Sequence, residues 1–170
     1  FRRVLFRSLA RAFALQKKYP QAIDEYKRLL DKNPELTLAL EGLVGTWVVA
    51  DRLDDAVAYL QSYANRFPAS LPARFLLGSV YQRKGRTAEA AALYERIVTD
   101  KPDAAIGWQA LASLYPKEPT KRLEVLQRAM AAAPKSQEVV IMLGSELEQQ
   151  KRFDDAIAHY EKALKDSQQM

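Results

Sequence analysis

The 170-residue chain contains no cysteine. That absence excludes disulfides, thiolate zinc sites and a cysteine nucleophile. It leaves the compartment open, since cytoplasm and periplasm fit equally. There is one histidine, His159, which helical spacing places beside Tyr160 and outside the buried stripe, as a solvated residue. Glycine is scarce, at six residues, and none builds a phosphate loop or dinucleotide fingerprint. No apolar run reaches the roughly 18–20 residues of a membrane span, so no membrane insertion is expected from this segment. Excess charge is also largely missing. The formal net charge is +5, but Arg2, Arg3 and Arg7 lie in the first eight residues. Without them, 23 basic residues face 21 acidic ones.

Those first eight residues, Phe-Arg-Arg-Val-Leu-Phe-Arg-Ser, read as the translation of a sequencing-library adapter. Residues 1–8 are therefore expected to be a non-native scar, and residues 9–170 one repeat domain truncated at both ends.

What is present is a period. Pro34, Pro68 and Pro102 stand 34 residues apart, and Pro134 follows 32 later. Ala22, Ala56 and Ala90 each precede a proline by 12 residues, and Tyr26, Leu60 and Tyr94 follow those alanines by four. A period in the thirties made of helix-forming residues predicts an all-α solenoid of antiparallel helix pairs. Counting back from the prolines gives units 3–36, 37–70, 71–104, 105–136 and 137–170.

The third unit reads Leu77-Gly78, Tyr81, Gly85, Ala90, Tyr94, Ile97, Pro102; the fifth reads Leu143-Gly144, Leu147, Ala156, Tyr160, Ala163. This pattern resembles the tetratricopeptide repeat family over essentially the whole chain. In the third unit the first helix is predicted from about Leu71 to Lys84. Gly78 admits a neighbouring helix, Gly85 supplies a positive φ, Thr87 caps the second helix, and Pro102 prevents its continuation. Lys17-Lys18-Tyr19-Pro20, Arg52-Leu53-Asp54-Asp55 and Arg152-Phe153-Asp154-Asp155 serve as turns of other chemistry. The two Asp pairs suit a helix N-terminus better than a metal site.

The fourth unit departs from the pattern. It is two residues short, Pro116 ends its first helix just after Tyr115, Thr120 is placed as the cap of its second, and Arg122 replaces the alanine. Leu123, Leu126, Ala129 and Met130 keep an apolar stripe. Arg122 at the shortened turn needs an acidic or carbonyl partner.

The family resemblance implies a right-handed superhelix whose first helices line a concave groove. The positions carried over are Leu38, Glu41, Gly45 and Val48; Phe75, Ser79 and Gln82; Ile106, Gln109 and Ser113; and Glu138, Ile141, Ser145 and Glu148. Their small, apolar and weakly polar character suits an extended peptide or helix. A subclass of the family clamps chaperone-tail carboxylates with lysine, asparagine and arginine. The matching positions here are Glu41, Gly42, Gly45, Pro72, Phe75 and Leu76, so that ligand is not expected.

The function implied is a protein-interaction scaffold, in a bacterial envelope or assembly setting. The alternative is a regulatory or docking segment of a larger enzyme. No catalytic, cofactor or metal residues are assigned. Ser79, Ser113 and Ser145 recur at one groove position with no base beside them. RNA binding is disfavoured by the near-neutral charge and by Glu41, Glu138 and Glu148. Self-association through uncapped ends is expected, with the last helix pair exposing an apolar face.

Overall fold

The computed structural model describes residues 2–168, with side chains from 4 to 167. Met170, the last position of the fifth unit, lies outside them. The described residues form ten helices and no strand: α1 (Arg2–Leu15), α2 (Tyr19–Lys32), α3 (Thr37–Val49), α4 (Leu53–Arg66), α5 (Leu71–Arg83), α6 (Thr87–Asp100), α7 (Ala105–Ser113), α8 (Pro119–Ala132), α9 (Gln137–Gln149) and α10 (Phe153–Gln168). The fold is an all-α helical-repeat solenoid. None of these helices is long and apolar enough to cross a membrane.

The periodic residues do the packing the spacing requires. Ala22, Ala56 and Ala90 are wholly buried, and Ala156 nearly so. A methyl is the largest group that lets paired helices close there. Tyr26, Leu60 and Tyr94, one turn on, are also buried and give each second helix an apolar stripe. Pro34, Pro68, Pro102 and Pro134 each fall two residues beyond the end of a second helix. Two of their carbonyls accept side-chain hydrogen bonds: Pro34 from the Tyr63 hydroxyl, and Pro102 from Trp108 Nε1 at 2.8 Å.

The turns inside the pairs share one device. Gly85 has φ +71°, and Lys17, Asp51 and Lys151 take φ of 60°, 57° and 58° at the same place. A side chain in this left-handed region costs about 1 kcal/mol that glycine avoids. Lys151→Gly should therefore raise stability by up to about 0.6 kcal/mol after the unfolded-state entropy of glycine, about 0.4–1 kcal/mol, is subtracted. Urea unfolding of wild type and variant reads this directly. Arg52 Nε and Arg152 Nε each reach the Asp three residues on, Asp55 and Asp155, at 2.6 Å. This leaves those carboxylates holding helix starts.

Three local expectations are corrected. Thr120 is not a cap: α8 begins at Pro119, whose fixed φ suits the first helical position. Thr87 opens α6 as its first helical residue. The side-chain caps are instead Ser70, accepting from Ala73 N–H at 3.3 Å, and Ser136, accepting from Val139 N–H at 3.4 Å. The third correction concerns α7, which ends at Ser113, before Tyr115, with only nine residues.

The chain divides into two compact units, Phe1–Arg86 and Thr87–Met170. In the first, α3 packs against α1, α2, α4 and α5. Its core holds Leu40, Leu43, Trp47 and Leu60, each at most 2% exposed. The Gly42 backbone meets the Tyr26 ring so closely that a Cβ would lie 2.4 Å from it. Lys84 Nζ bonds Asp54 at 2.8 Å, tying α4 to the end of α5. In the second unit, α9 packs against α7, α8 and α10. Arg128 makes two bonds to Glu95, at 2.9 and 2.8 Å, linking α8 to α6. Gly107 lies against Ile97 and Val98.

The fourth pair shows what fills a missing turn. Arg122 sits where the other pairs have alanine, next to the early end of α7. Its guanidinium donates to the Tyr115 and Pro116 carbonyls at 3.3 and 2.9 Å. It also makes a two-pronged pair with Glu146 of α9, at 2.9 and 2.8 Å. Gln150 joins the network through Glu146 and the Pro119 carbonyl. Both partner types expected of Arg122 are present. Burial alone would raise the Glu146 carboxyl. The bonds from Arg122 and Gln150, with the guanidinium charge, outweigh it and hold the group below its ordinary range.

Candidate protein-binding surfaces

Each unit presents the accessible side chains of its first helices. On α3, Leu38 is 53% exposed, Glu41 and Gly45 are exposed, and Val48 is half-buried. Gly45 has open space where a side chain would stand. On α5, Phe75, Ser79 and Gln82 are half-buried. These two helices are in contact, so the seven residues occupy adjoining helices of one unit. The basic-clamp positions here hold no cation; Arg74 of α5 is a buried arginine that the sequence reading passed over.

The second unit repeats the arrangement. Ile106, Gln109 and Ser113 of α7 are exposed. On α9, Glu138, Ile141 and Glu148 are exposed and Ser145 is half-buried. Here too the two helices touch. Tyr160 of α10 lies over Gly144, where an added Cβ would stand 2.2 Å from the ring. Burial raises its phenol, the neighbouring Glu148 carboxylate adds to this, and Ser145 opposes it.

Large apolar side chains left in water are the informative feature of such surfaces. Leu38, Ile106 and Ile141 are each more than half exposed. Leu38 and Ile106 hold the same repeat position on α3 and α7, and Ile141 stands about one turn further along α9. None of the fourteen predicted residues is fully buried. The bonded network of Arg122, Glu146 and Gln150 was not assembled from sequence. The sequence signal for it was Arg122 standing 12 residues before Pro134.

His159 differs from its expectation. It is half-buried, with Nε2 2.9 Å from the Val140 carbonyl. A carbonyl only accepts, so Nε2 carries the proton. The ring joins α10 to α9 and stands 5.7 Å from that of Tyr160.

Residues 8–35, 48–114 and 123–170 each match a family profile described as tetratricopeptide repeat. The chain belongs to the tetratricopeptide repeat family. Among curated relatives, it is 29% identical over 157 residues to the heat shock protein sti1 homolog of Schizosaccharomyces pombe. That alignment takes 88% of this chain and 25% of the relative. It is 24% identical over 163 residues to human protein O-mannosyl-transferase TMTC1, covering 92% of this chain and 18% of that one. The chain thus spans a quarter or less of either relative. Solved structures of the same fold include a thermophilic tetratricopeptide repeat protein from Thermus thermophilus, with TM-score 0.59 and 22% identity over 96% of this chain and 90% of that one. MamA from Desulfovibrio magneticus superposes with TM-score 0.57 and 16% identity, over 99% and 96% of the two chains. As a tetratricopeptide repeat protein, the chain is a protein-interaction scaffold.

Proposed function

We propose that this tetratricopeptide repeat scaffold binds an extended peptide or a helix of a partner protein on the exposed faces of α3, α5, α7 and α9. The carrying observation is the recurrence of solvated Leu38, Ile106 and Ile141 on rigid first helices. Apolar ligand side chains would dock beside them, while Glu41, Gln109 and Glu138 meet the ligand backbone or its basic groups. Because these faces are ordered by folding, little ordering cost is left to binding. The absence of cations at the clamp positions argues against a free carboxylate as the recognised feature. The glutamates on these faces argue against nucleic acid.

The role is binding without catalysis. The strongly shifted groups serve structure: burial pushes Tyr59 and Tyr94 up to about 12, and the lowered Glu95 and Glu146 sit in ion pairs. We place the scaffold in a bacterial envelope or assembly complex on its alanine- and arginine-rich composition. A second reading, a docking segment of a larger enzyme, draws on the match to an O-mannosyl-transferase of which this chain spans 18%.

Selection from a random peptide library tests the proposal. Enriched peptides should lose at least about tenfold in affinity, near 1.4 kcal/mol, on Phe75→Ala or Ile141→Ala, with folding checked by circular dichroism. Enriched peptides indifferent to both substitutions would count against it.

A further inference from the structure

The helix pairs carry an internal record of how one repeat receives the next. The first helix of a pair lies against both helices of the pair before it: α3 packs on α1 and α2, and α9 on α7 and α8. The receiving second helix offers Ile23, Tyr26 and Leu30 in α2, all buried. The entering helix offers Ala39, Gly42, Leu43 and Thr46 in α3, with Gly42 against the Tyr26 ring. Glu146 of α9 stands at the place of Thr46 and bonds Arg122 of α8, so this register recurs in the second unit.

Both halves of that interface are exposed on α1 and α10. In α10, Ile157, Tyr160 and Leu164 occupy the places of Ile23, Tyr26 and Leu30. Ile157 is 56% and Leu164 63% exposed. With Phe153 they form a stripe at spacings of four, three and four, the pattern of a helix that packs on another helix. Beside it, an open cleft of about 820 Å³ lies between α9 and α10, lined by Val140, Ile141, Tyr160 and Leu164 among others. This is the seat that a next first helix would take.

In α1, Leu5, Ser8, Leu9 and Ala12 occupy the places of Ala39, Gly42, Leu43 and Thr46, and all four are exposed. Ser8 is small where Gly42 is small. The face runs on through Leu9 and Ala12, beyond the first eight residues. Charges agree as well. α1 carries no acid and four arginines, of which Arg11 lies beyond the first eight residues, while α10 carries four acidic residues against two lysines.

We propose that α10 of one copy receives α1 of a second copy, in the register by which α2 receives α3. Tyr160 then covers Ser8, and Ile157 and Leu164 bury against Leu5 and Leu9. The contact joins two different faces, so it is heterologous and propagates into rings or filaments instead of stopping at a dimer. It shares Ile141 with the peptide-binding reading, whereas Leu5, Leu9, Ile157 and Leu164 belong to this contact alone, so the variants below test it separately.

Sedimentation equilibrium on the full chain, with two variants and their mixture, tests this. Wild type should gain mass with concentration past the dimer. Ile157→Glu, which spoils the seat, and Leu9→Glu, which spoils the entering face, should each remain monomeric. Mixed, they should form a dimer and nothing larger, because one intact α1 meets one intact α10. Circular dichroism checks folding, with Leu164→Gln and Leu5→Gln as milder replacements if either variant unfolds. A monomeric wild type overturns the proposal. So does a mixture that stays monomeric, or a Leu9→Glu variant that still dimerises, which would mean α10 pairing with itself.

Discussion

Arg122→Ala should lower the thermal unfolding midpoint by about 5–12 °C, equivalent to about 2–4 kcal/mol. The substitution restores the residue type found at this place in the other pairs, which on pattern alone would be expected to stabilise. The geometry says otherwise. Arg122 is the hydrogen-bond partner of two carbonyls past the early end of α7. It also neutralises Glu146, whose side chain is only 6% exposed. Alanine would leave that carboxylate buried without its charge partner, and the cost of an uncompensated buried charge exceeds the net worth of the pair. The expected loss sits below the range for fully buried pairs because the Arg122 side chain is 20% exposed.

The double variant Arg122→Ala/Glu146→Leu should recover about 1–3 kcal/mol of that loss, which a double-mutant cycle measures directly. Additive losses would mean the two residues act separately. The pH dependence has a defined sign. Glu146 titrates below its unfolded value, so the pair's contribution is fully present above about pH 4.5. It is lost as pH falls through the folded value. The stability gap between wild type and Glu146→Gln should therefore close on acidification. A gap that widens would contradict the assignment.

Gly42→Ala should destabilise by about 1–2 kcal/mol, although alanine is the better helix former by about 1 kcal/mol. The added Cβ would lie 2.4 Å from the Tyr26 ring, and Tyr26 is 5% exposed with no open side to move into. Overpacking of that kind costs about 1–3 kcal/mol and more than cancels the propensity gain. Gly45→Ala, three residues along the same helix, should do the reverse. Nothing lies within 4 Å of its Cβ, so the propensity term acts alone and stability rises by about 0.5–1 kcal/mol. Gly144→Ala forms a third case, milder than Gly42→Ala, because Tyr160 is half-buried and can swing away. Denaturant midpoints for the three variants should rank Gly45→Ala above wild type and Gly42→Ala lowest. Equal losses at Gly42 and Gly45 would contradict the packing account.

Much of this architecture was legible because repeats restate their constraints. Each proline, each buried alanine and the aromatic or leucine after it mark the same physical event, so their spacing placed the helices to within a residue or two. The expected surface residues came from the family resemblance laid over that register, and all remain accessible. What was not legible depended on three-dimensional closure. The early end of α7 was masked by Pro116, which lies three residues past the last helical residue. Lys17, Asp51 and Lys151 adopt a glycine-like φ because the antiparallel pairing requires it, which local preference does not reveal. Arg122 was visible as an oddity, but Glu146 lies 24 residues away and shares no motif with it. Helical spacing places His159 by its own helix alone, whereas its partner, the Val140 carbonyl, belongs to α9.

The central claim is that the first-helix faces carry binding. The most direct measurement maps amide chemical-shift changes in the isotope-labelled chain on titration with a peptide selected against it. The account predicts changes concentrated on α3, α5, α7 and α9, strongest around Leu38, Phe75, Ile106 and Ile141. Changes confined to the solvent faces of α2, α4, α6 and α8, with those four residues unmoved, would contradict it.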